Sequence, residues 1–214
     1  MSKEKSKAYQ WISFIVSLMF FLFFVFLIAE GKVMVWFAVF AAGVVISILF
    51  GRLYCSWACP MNFLIRIQNV LYNKFNIKRL NLPEFIKHPS FKYGMLALFI
   101  GFAVLQRIGM LKAPLLPVFI AVSFIVTLFF TEALWHRYLC PFGTILELSS
   151  RKPRYGISIS SEKCTGCGLC EKVCPSEAIE KADPDKSRST RYINPKVCIS
   201  CRRCAEVCNF DAVT

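Results

Sequence analysis

The chain has 214 residues, 56% of them hydrophobic, and 26 Lys and Arg against 13 Asp and Glu give a net charge of +13. This apolar share excludes an ordinary soluble domain for most of the chain. The basic residues flank apolar segments and form no separate stripe, so the charge favours membrane topology over nucleic-acid binding.

Four apolar segments are predicted to be transmembrane helices. The first two carry no charge and are long enough to cross about 30 Å of hydrocarbon at about 1.5 Å per residue. The third weakens after residue 105 and contains Arg107, whose side chain must reach an interface. The segments are residues 11–29, 33–50, 93–111 and 115–134.

The N-terminal segment is interpreted as a retained first helix. Its apolar core is longer than that of a secretory signal peptide, and no small-x-small cleavage site follows it. Most Lys and Arg residues lie in the N-terminal tail, in the loop 51–92 and after residue 134. The positive-inside rule then places both termini in the cytoplasm. We therefore expect a multi-pass protein of the cytoplasmic (inner) membrane, surrounded by membrane lipid.

The second and fourth segments each run into an aromatic-rich corner that ends in Cys-Pro. An offset of 81 residues aligns Cys59 with Cys140, each followed by proline, and places His136 opposite Cys55. This repeat predicts two pseudo-repeated helical hairpins related by an axis along the membrane normal. Proline disfavours helical geometry in the residue before it, so each helix should end near its cysteine. After the first corner, residues 61–75 are predicted to form an amphipathic interfacial helix.

The corner residues form a candidate metal site at the membrane face. Three thiolates and one imidazole are a ligand set that an iron–sulfur cluster, zinc or mononuclear iron accepts. Histidine in place of one cysteine removes a negative ligand charge, which would raise the potential of a cluster. A redox-active thiol pair and simple packing are the alternatives. The candidate ligands are Cys55, Cys59, His136 and Cys140.

Two cysteine strings with the spacing C-x2-C-x2-C-x3-C close the chain. This is the spacing of bacterial double-cluster ferredoxins, in which the fourth cysteine of each string binds the other cluster. Paired disulfides, which need an oxidising compartment, and a zinc ribbon, which lacks the three-plus-one repetition, are the alternatives. The predicted ligands of two 4Fe-4S clusters are Cys164, Cys167, Cys170 and Cys208 for cluster 1, and Cys198, Cys201, Cys204 and Cys174 for cluster 2.

The predicted fold is an integral membrane all-α domain over residues 1–150, followed by a small cytoplasmic α+β ferredoxin domain over residues 151–214. About sixty residues bury too little apolar surface alone, so the clusters should drive folding of the second domain. No histidine pair for a transmembrane haem, no CxxCH motif and no glycine-rich NAD or FAD fingerprint is present. Glu132 is expected to be a solvated helix-end carboxylate, with protonation of a quinone as the alternative.

Paired Cys-x3-Cys-Pro corners after transmembrane helices, followed by a double-cluster ferredoxin, resemble the NapH/NosR family of membrane-bound ferredoxin proteins. The resemblance covers roughly residues 11–214. Cys55 and Cys59 match the first family corner and Cys140 matches the second, where His136 stands in place of a cysteine. The polyferredoxin-type copper reductases of oxidase assembly are related to this family.

The resemblance implies a membrane-anchored electron-transfer subunit of an anaerobic respiratory-type complex. Electrons would pass between a cytoplasmic donor or partner subunit and the membrane, where a quinone or another redox subunit is the candidate partner. We expect no substrate chemistry by this chain alone. The alternatives are a metal-reducing or oxidase-assembly factor of the copper-reductase type and a redox-sensing membrane regulator, which the lack of a periplasmic flavin domain disfavours.

Overall fold

The structure, a computed structural model, describes residues 3–80, 83–109, 115–183, 185 and 189–214. A helical part comes first, and a small part with short helices and strands follows it. Position 111, the predicted end of the third apolar segment, lies outside the described residues.

Helix α1 spans Lys3–Ala29. Its segment Glu4–Ala29 is the one helix in the described part of the chain that is long and apolar enough to cross a membrane. At about 1.5 Å per residue it exceeds the roughly 30 Å of a hydrocarbon core. Many of its large apolar side chains are exposed, as on a helix that faces lipid, and this favours a membrane location. Examples are Trp11, Ile15, Met19, Leu22 and Phe26.

The other predicted spans form helices that are shorter or less apolar than α1. Helices α2 (Val35–Phe50) and α6 (Leu115–Phe129) are apolar but shorter. Helix α5 (Pro89–Arg107) follows a 3-10 turn over Glu84–Lys87, and it does not reach the combination of length and hydropathy that α1 has. The four-helix transmembrane topology therefore stays a prediction.

Each Cys-Pro corner has the same local structure. An irregular turn follows the apolar helix, the corner cysteine caps the next helix, and proline takes the first helical position. Proline suits that position because its missing N–H would have no helical acceptor there. The elements are α3 (Leu53–Trp57) and α4 (Pro60–Phe75) at the first corner, and a π-helical turn (Leu134–Leu139) and α7 (Pro141–Ser149) at the second.

Helix α4 packs lengthwise against α6. Gln68 Nε2 donates to the carbonyl oxygen of Phe124 at 3.0 Å, and the Tyr72 hydroxyl donates to that of Leu128 at 2.8 Å. The two donors are four residues apart on α4, and their acceptors are four residues apart on α6 in the same order. The two helices therefore run parallel. The helix predicted near residues 61–75 exists, but its polar face is turned into the bundle and bonded to α6.

Helix α7 packs in the equivalent way against α2. The rings of Phe142 and Phe40 have centroids 4.9 Å apart, and the hydroxyl oxygens of Ser149 and Ser47 are 2.5 Å apart. Helix α7 therefore begins beside the middle of α2 and ends beside its last turn. The helix after each corner thus packs on the long helix of the other repeat, which interlocks the two repeats.

The C-terminal part contains two short helices and a two-stranded antiparallel sheet. Ile179 stands opposite Ile193 in the sheet, and Ile159 bridges to Val213 near the chain end. These residues form an apolar core around the cysteines. The elements are α8 (Leu169–Lys172), β1 (Ile179–Lys181), β2 (Arg191–Ile193) and α9 (Arg203–Val207).

The N-terminal end of α1 holds the C-terminal part against the helical part. The Tyr9 hydroxyl donates to the carbonyl oxygen of Ser200 at 3.1 Å, and the Ser6 hydroxyl donates to that of Arg202 at 3.2 Å. The Arg202 guanidinium also lies 4.8 Å from the centroid of the Tyr9 ring. Ser200 and Arg202 lie within the second cysteine string, so α1 fixes this string directly.

Candidate metal centres

Four cysteines line the outer cavity of the C-terminal part. Cys167 is the exposed member of the four. The backbone N–H of Arg191 donates to Cys164 Sγ at 3.4 Å, a bond of the kind that tunes cluster potentials. The four are Cys164, Cys167, Cys170 and Cys208. They are the group that the cysteine spacing predicts for cluster 1.

Four further cysteines line a second cavity nearer the helical part. Backbone N–H groups of Ala178 and Ser200 donate to Cys174 Sγ at 3.2 Å and to Cys198 Sγ at 3.4 Å. The four are Cys174, Cys198, Cys201 and Cys204. They are the group that the spacing predicts for cluster 2.

The chemistry of both groups fits a 4Fe-4S cluster. Burial raises the pKa of Cys170 to about 11 and that of Cys198 to about 12, because desolvation penalises a bare thiolate. Thiolates at such positions need a cationic partner, which an iron cluster supplies. All 11 cysteines of the chain lie among the described residues and are free, so the structure contains none of the disulfides considered as an alternative.

The three corner thiols come together inside the helical part. Cys55 and Cys140 are buried, Cys59 is partly buried, and all three belong to one apolar core. Burial raises the pKa of Cys140 to about 12, and the neighbouring Cys55 thiol adds to this effect. A charged state of this group therefore also needs a cationic partner.

Both corner cysteines stand at a helix N-terminus, but only one of their sulfur atoms accepts a capping hydrogen bond. Gly143 N–H donates to Cys140 Sγ at 3.4 Å, whereas the Cys59 side chain makes no capping hydrogen bond. Helix N-termini carry a partial positive charge and free N–H groups, both of which stabilise a thiolate. Helices α4 and α7 thus direct their positive ends at one place, as broken helices of transporters do around their ion sites.

The contacts of Ser17 show at which position along α1 the first corner lies. Its hydroxyl donates to the carbonyl oxygens of Ser56 at 3.2 Å and Trp57 at 2.9 Å. Ser17 lies roughly 9 Å along the helix from Trp11, where the charge-free stretch of α1 begins. The corner thiols therefore lie within the bundle, beside the middle of α1.

His136 is buried beside the second corner, with 4% of its surface exposed. Its Nε2 atom has no hydrogen-bond partner among the described residues. Burial lowers the pKa of His136 to about 4, so the imidazole is neutral and able to bind a metal. A buried nitrogen without a partner fits a ligand role, because buried polar atoms are otherwise bonded.

The described residues contain no group of three or more His, Cys, Asp or Glu arranged to hold a single metal ion. This holds for the eight ferredoxin cysteines as well as for the corner residues.

Glu132 is paired inside the protein, so the expectation of a solvated carboxylate is wrong. It accepts hydrogen bonds from Arg203 Nη1 at 2.8 Å and from Asn69 Nδ2 at 2.5 Å, and its side chain is 16% exposed. The ion pair joins the segment after α6 to α9. Glu132 also lines a cleft between α1, α4 and the C-terminal part, and this cleft reaches Cys174.

Arg52 is a residue of this region that the sequence analysis does not identify. The side chain is 1% exposed, and its Nη2 donates to the carbonyl oxygen of His136 at 3.0 Å. Its Nη1 donates to the carbonyl oxygen of Val197 at 3.2 Å. In the sequence, an arginine at the end of an apolar segment has the pattern of an ordinary interfacial anchor, so no local signal distinguishes it.

Two protein-family models match the regions of the chain that hold the cysteine strings and the two corners. A 4Fe-4S dicluster domain matches residues 163–212, which hold both cysteine strings. A 4Fe-4S binding domain matches twice, at residues 33–78 and at residues 113–159. Each of these two matches contains one corner, in agreement with the internal repeat.

Curated relatives include an uncharacterized protein, MJ0749, of Methanocaldococcus jannaschii, which is 32% identical over 63% of this chain and 55% of its own length. The putative electron transport protein YccM of Escherichia coli is 32% identical over 63% of this chain and 44% of its own length. The ferredoxin-type protein NapH of Escherichia coli is 24% identical over 65% of this chain and 54% of its own length. The chain thus spans about half the length of these relatives. No solved structure matches it.

The fold, the cysteine groups and both family models define a 4Fe-4S ferredoxin-type protein. Its homologues are the NapH, MauN, NosR and YccM proteins, which confirms the resemblance drawn from the corners and cysteine strings. These similarities are consistent with a NapH/NosR-type 4Fe-4S family.

Proposed function

We propose that the chain is a membrane-anchored electron-transfer subunit that moves electrons between a cytoplasmic donor or partner subunit and the membrane. The observation that carries this proposal is the spatial order of three thiol groups. The cluster 1 group reaches the surface, the cluster 2 group lies beneath it, and the corner group lies inside the helical part. Such an order is what one-electron transfer from the protein surface toward the membrane requires.

The contacts between successive groups support this order. The exposed thiol of Cys167 belongs to the outer group, and Cys170 of that group packs against the same apolar core as Cys204 of the second. Cys201 of the second group packs against the same apolar core that contains the corner thiols of Cys55 and Cys140. The second group is thus in contact with both of the others.

Iron–sulfur clusters bound at these groups would supply the one-electron chemistry. In this proposal eight cysteines hold the two ferredoxin clusters, and Cys55, Cys59, His136 and Cys140 hold a third iron–sulfur centre. The protein residues hold the ligands in place, direct N–H groups at the sulfur atoms and exclude water. Trp135, 1% exposed, and Tyr54, 7% exposed, belong to the same buried apolar core as the corner thiols.

The topology proposed for this function has four membrane spans within residues 1–150, with both termini and the ferredoxin domain of residues 151–214 in the cytoplasm. The long apolar helix α1 and the distribution of Lys and Arg support this arrangement. A quinone or another redox subunit of an anaerobic respiratory-type complex completes the route. The cleft that reaches Cys174 gives such a partner access to the cluster 2 group.

Names of relatives support an electron-transfer role. YccM of Escherichia coli is named a putative electron transport protein, and MauN of Methylobacillus flagellatus a methylamine utilization ferredoxin-type protein. NosR of Pseudomonas aeruginosa is named a regulatory protein, but this chain covers only 21% of it. We therefore place the chain with the electron-transfer relatives.

Iron content and EPR spectra of the anaerobically purified membrane protein test the proposal. Two 4Fe-4S clusters hold about eight irons per chain, so we expect more than this in the wild type and a return to about eight in Cys140→Ser. The matched control, Cys164→Ser, should instead lose the cluster 1 signal and keep the corner signal.

The possible outcomes separate the parts of the proposal. About eight irons in both the wild type and Cys140→Ser, with unchanged spectra, would remove the third centre and leave a two-cluster carrier. Iron well below eight in the wild type, without a reduced-cluster EPR signal, would overturn the electron-transfer function itself.

A further inference from the structure

We propose that Arg52 is a positioning residue that joins the corner group to cluster 2 and whose charge sets the reduction potentials of the centres on both sides. The redox role of those centres rests on the proposed function. The bridging geometry itself is a property of the described contacts.

One guanidinium bonds to the backbone beside ligands of two different groups. Nη1 donates to the carbonyl oxygen of Val197, the residue directly before Cys198, and Nη2 donates to that of His136 in the second corner. Arg52 itself lies in the first corner, three residues before Cys55. Arg52 therefore connects both corners and the second cysteine string.

The charge of Arg52 has no carboxylate partner among the described residues. A buried cation without a counter-ion is strongly unfavourable, so a buried arginine requires negative charge nearby. The guanidinium interacts with the thiols of Cys55, Cys140 and Cys198, which would become negative as metal-bound thiolates. The negative charge that balances Arg52 is thus that of the metal centres on either side of it.

Gly143 of the second corner leaves space for the Arg52 side chain. A Cβ atom at Gly143 would overlap Nη2 of Arg52, so a side chain at this position would displace the guanidinium from its present place. Gly143 also donates its N–H to Cys140 Sγ, which places the guanidinium next to that thiol. The same residue therefore admits the arginine and bonds to the sulfur atom.

The internal repeat shows that this cation belongs to one corner alone. With an offset of 81 residues, Arg52 aligns with Ala133, and Cys55 aligns with His136. At this aligned position the corner with the additional thiol has a cation and the corner with the neutral imidazole has alanine. Arg137 of the second corner forms an ion pair with the C-terminal part instead. Charge compensation within one bound centre would require this arrangement, because the additional thiolate adds a negative charge and the imidazole does not.

Removing the charge should lower the reduction potentials of the neighbouring centres, because reduction adds an electron that the cation stabilises. We therefore expect Arg52→Met to shift cluster 2 and the corner centre to lower midpoint potentials in EPR-monitored redox titrations of the holoprotein. Arg52→Lys retains the charge and should keep both potentials close to those of the wild type. Cluster 1 should not shift in either variant.

Arg191→Met is the matched control. Arg191 is also a buried arginine, 7% exposed, but it lies at the cavity of cluster 1 and pairs with Glu171. Its removal should shift the potential of cluster 1 and leave cluster 2 unchanged. The two substitutions together distinguish a local electrostatic effect from a general loss of integrity.

An unchanged cluster 2 potential in an iron-replete Arg52→Met protein would overturn the inference, and so would an equal shift of all centres. If Arg52→Met does not load iron, Arg52→Gln takes its place, since it is neutral but keeps hydrogen-bond donors. If the wild type holds no corner centre, the shift of cluster 2 alone still decides the role of Arg52. Failure of the proposed third centre is therefore distinguishable from failure of this inference.

Discussion

Gly43 of α2 makes space for the ring of Tyr54. A Cβ atom at position 43 would lie 2.7 Å from the Tyr54 ring, whereas one at Gly101 of α5 would meet no atom within 4 Å. We expect Gly43→Ala to lower the free energy of unfolding by roughly 1–3 kcal/mol through overpacking. Gly101→Ala should raise it by roughly 0.5–1 kcal/mol, because alanine favours the helix.

Thermal unfolding of the detergent-solubilised protein, monitored by circular dichroism, measures both changes. Because the two glycines lie in apolar helices, their comparison separates the steric effect at Tyr54 from helix propensity. Equal changes for Gly43→Ala and Gly101→Ala would contradict the packing described for the first corner.

Residues with a fixed spacing could be predicted from the sequence, and residues with a distant partner could not. The three-plus-one grouping of the cysteines follows from local spacing, and the structure groups the same cysteines around each cavity. Glu132 was wrongly expected to be solvated because its partner Arg203 lies 71 residues further along the chain. Arg52 was missed for the same reason, since Val197 is 145 residues away from it.

At the scale of elements, the ion pair between Glu132 and Arg203 docks α9 onto the end of α6. Glu147 and Lys92 form a comparable pair between α7 and α5, with both side chains 15–16% exposed. Partly buried charged hydrogen bonds contribute roughly 1.5–3 kcal/mol each. We expect Glu132→Gln to loosen the second cysteine string, and Glu147→Gln to act only within the helical part.

Hydrogen–deuterium exchange of the holoprotein tests this difference. Amides of residues 198–208 should exchange faster in Glu132→Gln than in the wild type, and at the wild-type rate in Glu147→Gln. Equal protection of these amides in all three proteins would show that the contacts of α1 with Ser200 and Arg202 are sufficient for docking.

Element order was predictable from apolar runs and proline positions, whereas the packing of the corner helices was not. The hydrophobic pattern of residues 61–75 predicts an amphipathic helix, and α4 forms there. Its polar side chains face α6 because Gln68 and Tyr72 find carbonyl partners one helical turn apart. Such partners belong to another repeat and leave no trace in the local pattern.

At the scale of the whole molecule, the number of membrane spans is the main expectation that the fold leaves untested. Helix α1 has the length for a full span, while α2 and α6 are shorter. Short helices cross a bilayer only where the bilayer thins or flanking residues reach its interfaces. The turns at Lys32 and Ile108, both in the described residues, are the places where four-span topology predicts exposure on the outer face.

Labelling of single introduced cysteines with a membrane-impermeant thiol reagent decides the topology. We expect Lys32→Cys and Ile108→Cys to react in intact spheroplasts, because these exposed residues follow helices α1 and α5. Lys78→Cys, in the loop between the second and third segments, should react only after lysis, as should Glu162→Cys at an exposed position of the C-terminal part. Protection of Ile108→Cys with reaction of Lys32→Cys would leave a smaller number of spans, and reaction of Lys78→Cys in intact spheroplasts would reverse the orientation. Reaction of Glu162→Cys only after lysis would place the C-terminal part in the cytoplasm, where a soluble donor reaches the outer cluster.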